Sequence, residues 1–116
     1  MKSLIKNLTD ESFDLFISKN SKNFILIDFW AKWCNPCKLL SPILEKLSKN
    51  FIDIKFVKVD IEKNPKVSLK YSIQSVPTLI LMYKKKVINT KIGVSSKENL
   101  SNFLTTNINN FKSFKK

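Results

Sequence analysis

Apolar and polar positions alternate along this chain in blocks of two kinds. Phe24 to Trp30, FILIDFW, is hydrophobic at nearly every position, as expected of a central strand covered on both faces. Asp53 to Asp60, DIKFVKVD, reads as a second strand. Between them Leu39, Leu40, Ile43, Leu44 and Leu47 recur at helical spacing, which predicts a helix ending near Asn50. Pro36 falls early in that helix, where a missing N–H costs little, and Pro42 lies inside it, where a kink is expected. Strand, helix, strand over this length is a right-handed βαβ unit with parallel strands.

Ahead of this unit, Thr9-Asp10-Glu11-Ser12 reads as a helix start, with acids in the first turn. The helix should reach about Lys19 and carry Phe13, Phe16 and Ile17 on one face. Beyond the unit, Lys66 to Tyr71 predicts a short helix. Thr78 to Tyr83 and Val87 to Ile92 read as strands. The link between them, Lys84-Lys85-Lys86, is too short for anything but an antiparallel pair. Ser96 to Asn107 forms an amphipathic helix bearing Leu100, Phe103 and Leu104. The remainder, 108–116, is a basic tail that either extends this helix or frays. Phe111 and Phe114 could touch a membrane or a partner, but packing in the last turn is favoured. The total is a small α/β domain with a parallel half followed by an antiparallel half.

Composition narrows the function. The chain has 116 residues and is 43 % hydrophobic, enough for one core without staples. No apolar run is long enough for a transmembrane helix, and the N-terminus lacks the apolar stretch of a secretory signal. The expected location is the cytoplasm, or an organelle lumen if a targeting segment has been removed. Net charge is +12, but all 21 basic residues are lysine. Arginine is the residue for bidentate phosphate and base-edge contacts. A charge made of scattered lysines in a chain rich in Asn, Ile and Ser reads as compositional bias, so neither a nucleic acid nor a membrane is expected as a partner. Histidine is absent, which removes Ser-His-Asp and Cys-His catalysis and leaves too few ligands for a zinc site. No metal and no cofactor are expected.

The chemistry must lie in its two cysteines, Cys34 and Cys37, in the stretch WCNPCK. A disulfide across so small a loop constrains the unfolded chain weakly, and a cytosolic chain would keep it reduced. A reactive dithiol fits better. Cys34 falls between a buried strand and a helix start, where free backbone N–H groups and the helix dipole favour a thiolate; Lys38 adds positive charge. Asp28 interrupts an apolar strand, alternating with Phe24 and Leu26. By pattern alone it is either a desolvated carboxyl with a raised pKa, suited to carrying protons, or a strand-end aspartate turned to solvent.

The stretch Asp28-Phe29-Trp30-Ala31-Lys32-Trp33-Cys34-Asn35-Pro36-Cys37-Lys38 resembles the active-site segment of the thioredoxin family. Ser75-Val76-Pro77-Thr78 resembles its cis-proline loop, and Lys58 to Pro65 and Lys91-Ile92-Gly93 also fall in family-like places. The resemblance covers roughly residues 3–107, so that 1–107 would be the domain and 108–116 the tail. It implies a thioredoxin fold: a central five-stranded mixed sheet, first strand near Ser3 to Asn7, flanked by four helices. It implies a monomeric protein-disulfide reductase that acts on disulfide-containing proteins and is recharged by an external thioredoxin reductase.

The implied roles are nucleophile for Cys34, resolving thiol for Cys37, and general base for Asp28, acting on Cys37 through a water. Lys58 would tune Asp28, unless it is a snorkelling surface lysine. Pro77 would be cis and pack against the sulfurs. The Val76 backbone would pair with an extended substrate. Trp33, Val76, Pro77, Gly93 and Val94 would dock the substrate, with Trp30 packed beneath. For thioredoxin itself, a cysteine pKa near 7 against about 8.5 raises the thiolate fraction at pH 7 from about 3 % to about 50 %, and lower intrinsic nucleophilicity returns about fivefold of that gain. That borrowed figure leaves docking and the waiting second thiol as the larger advantages. Two departures stand out. Asn35 replaces the family's glycine and, with Pro36, should set the redox poise. Lysines replace the hairpin's Asn-Gly, which predicts a longer, looser or less stable turn. The rival functions are an oxidant or isomerase on the same fold, and a binding subunit that does not use its cysteines.

Overall fold

The computed structural model describes residues 3–114; Lys115 and Lys116 of the tail, and the side chain of Phe114, lie outside the described residues. In chain order the elements are β1 (Lys6–Asn7), α1 (Phe13–Lys19), β2 (Phe24–Trp30), α2 (Asn35–Asn50), β3 (Ile54–Asp60), α3 (Pro65–Lys70), β4 (Thr78–Tyr83), β5 (Lys86–Ile92) and α4 (Lys97–Phe114). The five strands form one sheet in the order β1-β3-β2-β4-β5. β3 is parallel to both β1 and β2, while β4 is antiparallel to β2 and β5.

Strand alternation sorts the core into two layers. Leu26, Phe56, Leu79 and Leu81 point to one side and pack with Leu40, Leu44 and Leu47 of α2 and Leu100 and Leu104 of α4. Ile25, Ile27, Phe29, Val57, Val59 and Ile80 point to the other and pack with Phe13 and Ile17 of α1 and Val67 of α3. This is why β2 reads as continuously apolar: both of its faces are covered. Asp28 belongs to the first layer by parity, and so faces α2.

Three details depart from the sequence-based expectation. The first helix begins at Phe13, not at Thr9. Thr9 to Ser12 forms a turn in which the Thr9 N–H donates to Ser12 Oγ (2.9 Å) and the Ser12 N–H donates to Thr9 Oγ1 (3.1 Å). Asp10, expected to serve that helix, caps another. Its carboxylate accepts from the N–H groups of Lys66 (3.2 Å) and Val67 (2.9 Å) at the start of α3. Asn64 Oδ1 accepts from the Asp10 N–H in return (2.9 Å).

The β4–β5 hairpin is as short as an Asn-Gly one: Tyr83 pairs with Lys86, and Lys84 and Lys85 adopt φ of 50° and 68°. The turn is therefore tight rather than long, and each lysine stands in a region that costs a side-chain-bearing residue about 1–2 kcal/mol. Finally, α4 continues through the tail to Phe114. Phe111 closes an aromatic cluster with Phe24 (5.7 Å between ring centroids) and Tyr83 (5.0 Å), so its ring packs onto the domain as expected of the last turn.

Candidate active site

The site lies at the C-terminal ends of β2 and β3. β2 ends at Trp30, and a four-residue turn, closed by the Cys34 N–H donating to the Ala31 carbonyl at 3.1 Å, leads into α2. Cys34 is the N-cap of that helix. Its extended backbone puts the sulfur where a capping side chain belongs, and Sγ accepts from the Cys37 N–H at 3.1 Å. Asn35 and Pro36 are the first two helical residues, where the proline displaces no helical bond. Cys37, most of a turn on, is disulfide-bonded to Cys34 across a Cα separation of 5.3 Å. Both are almost wholly buried in a cluster with Ala31, against which Trp30, Ile61 and Val76 pack.

Asp28 lies one layer beneath, 5 % exposed, with Oδ1 lacking any hydrogen-bond partner among the described residues. Desolvation pushes its pKa from the ordinary 3.8 up to about 7, against the pull of the Lys58 charge. The solvent-turned alternative for Asp28 is thereby excluded. The parallel register sets Lys58 directly beside Asp28, so their side chains share a face. The Lys58 ammonium also lies 5.5 Å from the centroid of the Trp30 ring. Asp28, Trp30, Cys37 and Lys58 wall a cavity of about 200 Å³, and Lys32, Lys38 and Ser41 stand around it.

On the other side of the disulfide, the Val76–Pro77 bond is cis. The Pro77 carbonyl accepts from the Gly93 N–H at 2.8 Å, which ties the end of β5 to this loop. Gly93 needs to be glycine for its φ of 89°, not for lack of room, since a Cβ there would meet nothing within 4 Å. Trp33 and Val94 are exposed, 63 % and 43 %, beside a 68 % exposed Ile92. Sequence reasoning missed Ile61, which packs against the cysteine pair, and Ser41 and Lys32 at the cavity. Ser41 was within reach, because it follows Cys37 by four residues and so shares its helical face. The other two lie within stretches that resemble the family's, but no spacing singled out either.

A buried cysteine pair at a helix N-cap, with a desolvated carboxyl beneath it and a cis-proline loop alongside, defines a thiol-disulfide oxidoreductase. The thioredoxin family model matches residues 4–106. The thioredoxin of Buchnera aphidicola subsp. Acyrthosiphon pisum (strain APS) is 50 % identical over 106 residues, covering 90 % of this chain and 97 % of that one. That of Rickettsia bellii (strain RML369-C) is 38 % identical over 106 residues, 90 % of this chain and all of that one. Among solved structures, Fasciola hepatica thioredoxin superposes with a TM-score of 0.83 at 29 % identity, covering 89 % of this chain and 99 % of that chain. The chain belongs to the thioredoxin family. It is a protein-disulfide reductase, whose partners in general are disulfide-containing substrates and a reductase.

Proposed function

We propose that this chain is a monomeric, cytoplasmic, general protein-disulfide reductase in which each site residue has a distinct role. The Cys34 thiolate attacks a substrate disulfide. One sulfur–sulfur bond breaks, a mixed disulfide with Cys34 forms, and one substrate sulfur leaves as a thiolate that takes up from solvent the proton Cys34 had released. Asp28 takes the proton of Cys37 through water in the cavity, and the Cys37 thiolate attacks Cys34. That step releases the second substrate thiol and closes the Cys34–Cys37 disulfide. Two electrons and two protons pass to the substrate, and an external thioredoxin reductase restores the dithiol. No bound cofactor takes part.

The observation that carries this reading is the pairing of a sulfur at the α2 N-cap with an unpartnered, buried carboxyl under the second cysteine. At the N-cap, the Cys37 N–H and the helix dipole favour negative charge on Cys34. Under Cys37, a carboxyl that titrates near 7 exchanges protons at working pH. Lys58 restrains its pKa. Val76 offers backbone to an extended substrate, flanked by Trp33, Pro77, Gly93 and Val94, while Asn35 and Pro36 set the potential from within the disulfide loop.

The test is a pair of substitutions. Cys37→Ser should accumulate covalent mixed disulfides with protein substrates, and Cys34→Ser should abolish reduction; normal turnover by Cys37→Ser would refute the resolving role. Equilibration with glutathione separates the reductase from an oxidant, because a potential of about −180 mV or above would place the protein with the isomerases.

A further inference from the structure

The cavity beside Cys37 holds more positive charge than proton transfer to Asp28 uses. Lys58 is engaged by the Asp28 charge and the Trp30 ring. Lys32 and Lys38 are exposed at the same cavity, and among the described residues neither has an ion-pair partner. Ser41 lines the same cavity, three residues after Lys38 on the same helical face. Compositional bias accounts for many lysines on the surface. It does not account for a concave site whose charged lining is three lysines around one buried carboxyl, with a reactive sulfur in its wall.

Two ammonium groups and a hydroxyl around an opening of this size match a carboxylate. Without arginine the site has no planar fork for a phosphate ester. We propose that Lys32, Lys38 and Ser41 form a subsite for a carboxylate side chain that a disulfide partner presents beside the bond being reduced. The subsite thus selects, among disulfides, those with an acidic residue next to the cysteine, and the selection rests on the reductase reading above. The carboxylate binds at the rim, near the lysines, while Asp28 stays below, beside Cys37.

The experiment uses two disulfide peptides identical except for Glu or Gln beside each cysteine, reduced by the dithiol form in single turnover. The expected ratio of rates, Glu over Gln, is about three to ten at low salt, as two partly exposed charge pairs would give, and it should approach one at high salt. Lys32→Gln/Lys38→Gln should remove the ratio whatever it does to the absolute rate. Lys49→Gln should preserve it, since Lys49 lies about 16 Å further along α2. Equal rates for the two peptides in the unmodified protein would overturn the subsite. So would a ratio that survives in the double variant, or that Lys49→Gln lowers equally, because both mark diffuse attraction to a basic surface. If neither peptide is reduced, the reductase reading fails, and the subsite is judged without chemistry. Cysteine-free Glu and Gln peptides are then titrated into the disulfide form and followed by NMR. Shifts at the Lys38 and Ser41 amides with the Glu peptide alone support it, and their absence refutes it.

Discussion

Replacing Asp28 by asparagine removes a carboxyl that the fold holds at a cost. In the unfolded chain this group loses its proton near pH 3.8; in the fold it does so near 7. Between those values the native state binds one more proton than the unfolded state, so its stability falls by about 1.4 kcal/mol for each pH unit gained. The penalty is absent below 3.8 and complete above 7. Integrated over the titration, it is about 2 kcal/mol at pH 5 and about 4 kcal/mol at pH 8. Asparagine has the same shape and no titration. Its own cost, an amide buried where Oδ1 already lacks a partner, does not change with pH. The informative quantity is therefore the change in the mutational effect between the two pH values. Urea unfolding of the disulfide form, followed by tryptophan fluorescence, should show Asp28→Asn gaining about 2–3 kcal/mol relative to the parent from pH 5 to pH 8. With a urea slope of about 1–3 kcal/mol per molar, the two midpoints separate by a further ~1–3 M. A difference between parent and variant that stays constant across this range would refute a desolvated, titrating Asp28, and with it the proposed proton carrier.

Four further measurements extend the test to the site, the hairpin and the tail. Lys58→Met removes the charge that lowers the Asp28 pKa, so the carboxyl resonance of Asp28 followed by NMR should titrate above 7, and a downward move would contradict the register-set pairing. Asp28→Asn should also slow disulfide reduction more at neutral than at alkaline pH, where the Cys37 thiol ionises unaided; equal slowing would count against proton transfer. Lys84→Asn with Lys85→Gly relieves two positive-φ lysines and should stabilise the hairpin by about 1–2 kcal/mol in the same urea assay, whereas no gain would mean that the turn is unstrained. Phe111→Ala opens the cluster with Phe24 and Tyr83 and should cost about 2 kcal/mol, less than a fully buried Phe→Ala; an unchanged midpoint would make the tail dispensable.

The sequence by itself determined what depends on local period and on residue chemistry. The apolar run of β2, the helical spacing of α2 and the short link before β5 specify the βαβ unit and the antiparallel pair, because strand and helix periods differ. Two cysteines three apart at a helix start, with no histidine, leave disulfide chemistry as the site's resource. Tertiary structure decided everything that depends on which distant residues meet. Asp10 reads as an acid of the first helix, yet it caps α3, because packing of α1 against α3 brings that helix's N–H groups within its reach. The all-lysine turn reads as loose, yet strand pairing on both sides forces it tight. The tail beyond Asn107 reads as optional, yet Phe111 finds two aromatic partners more than 25 residues away in sequence. Asp28 shows the division most clearly. Its place in an apolar strand was legible, but its titration near 7 was not. That value follows from burial by α2 on one face and from the register that sets Lys58 at its side. Desolvation and charge act through space, and the fold sets those distances.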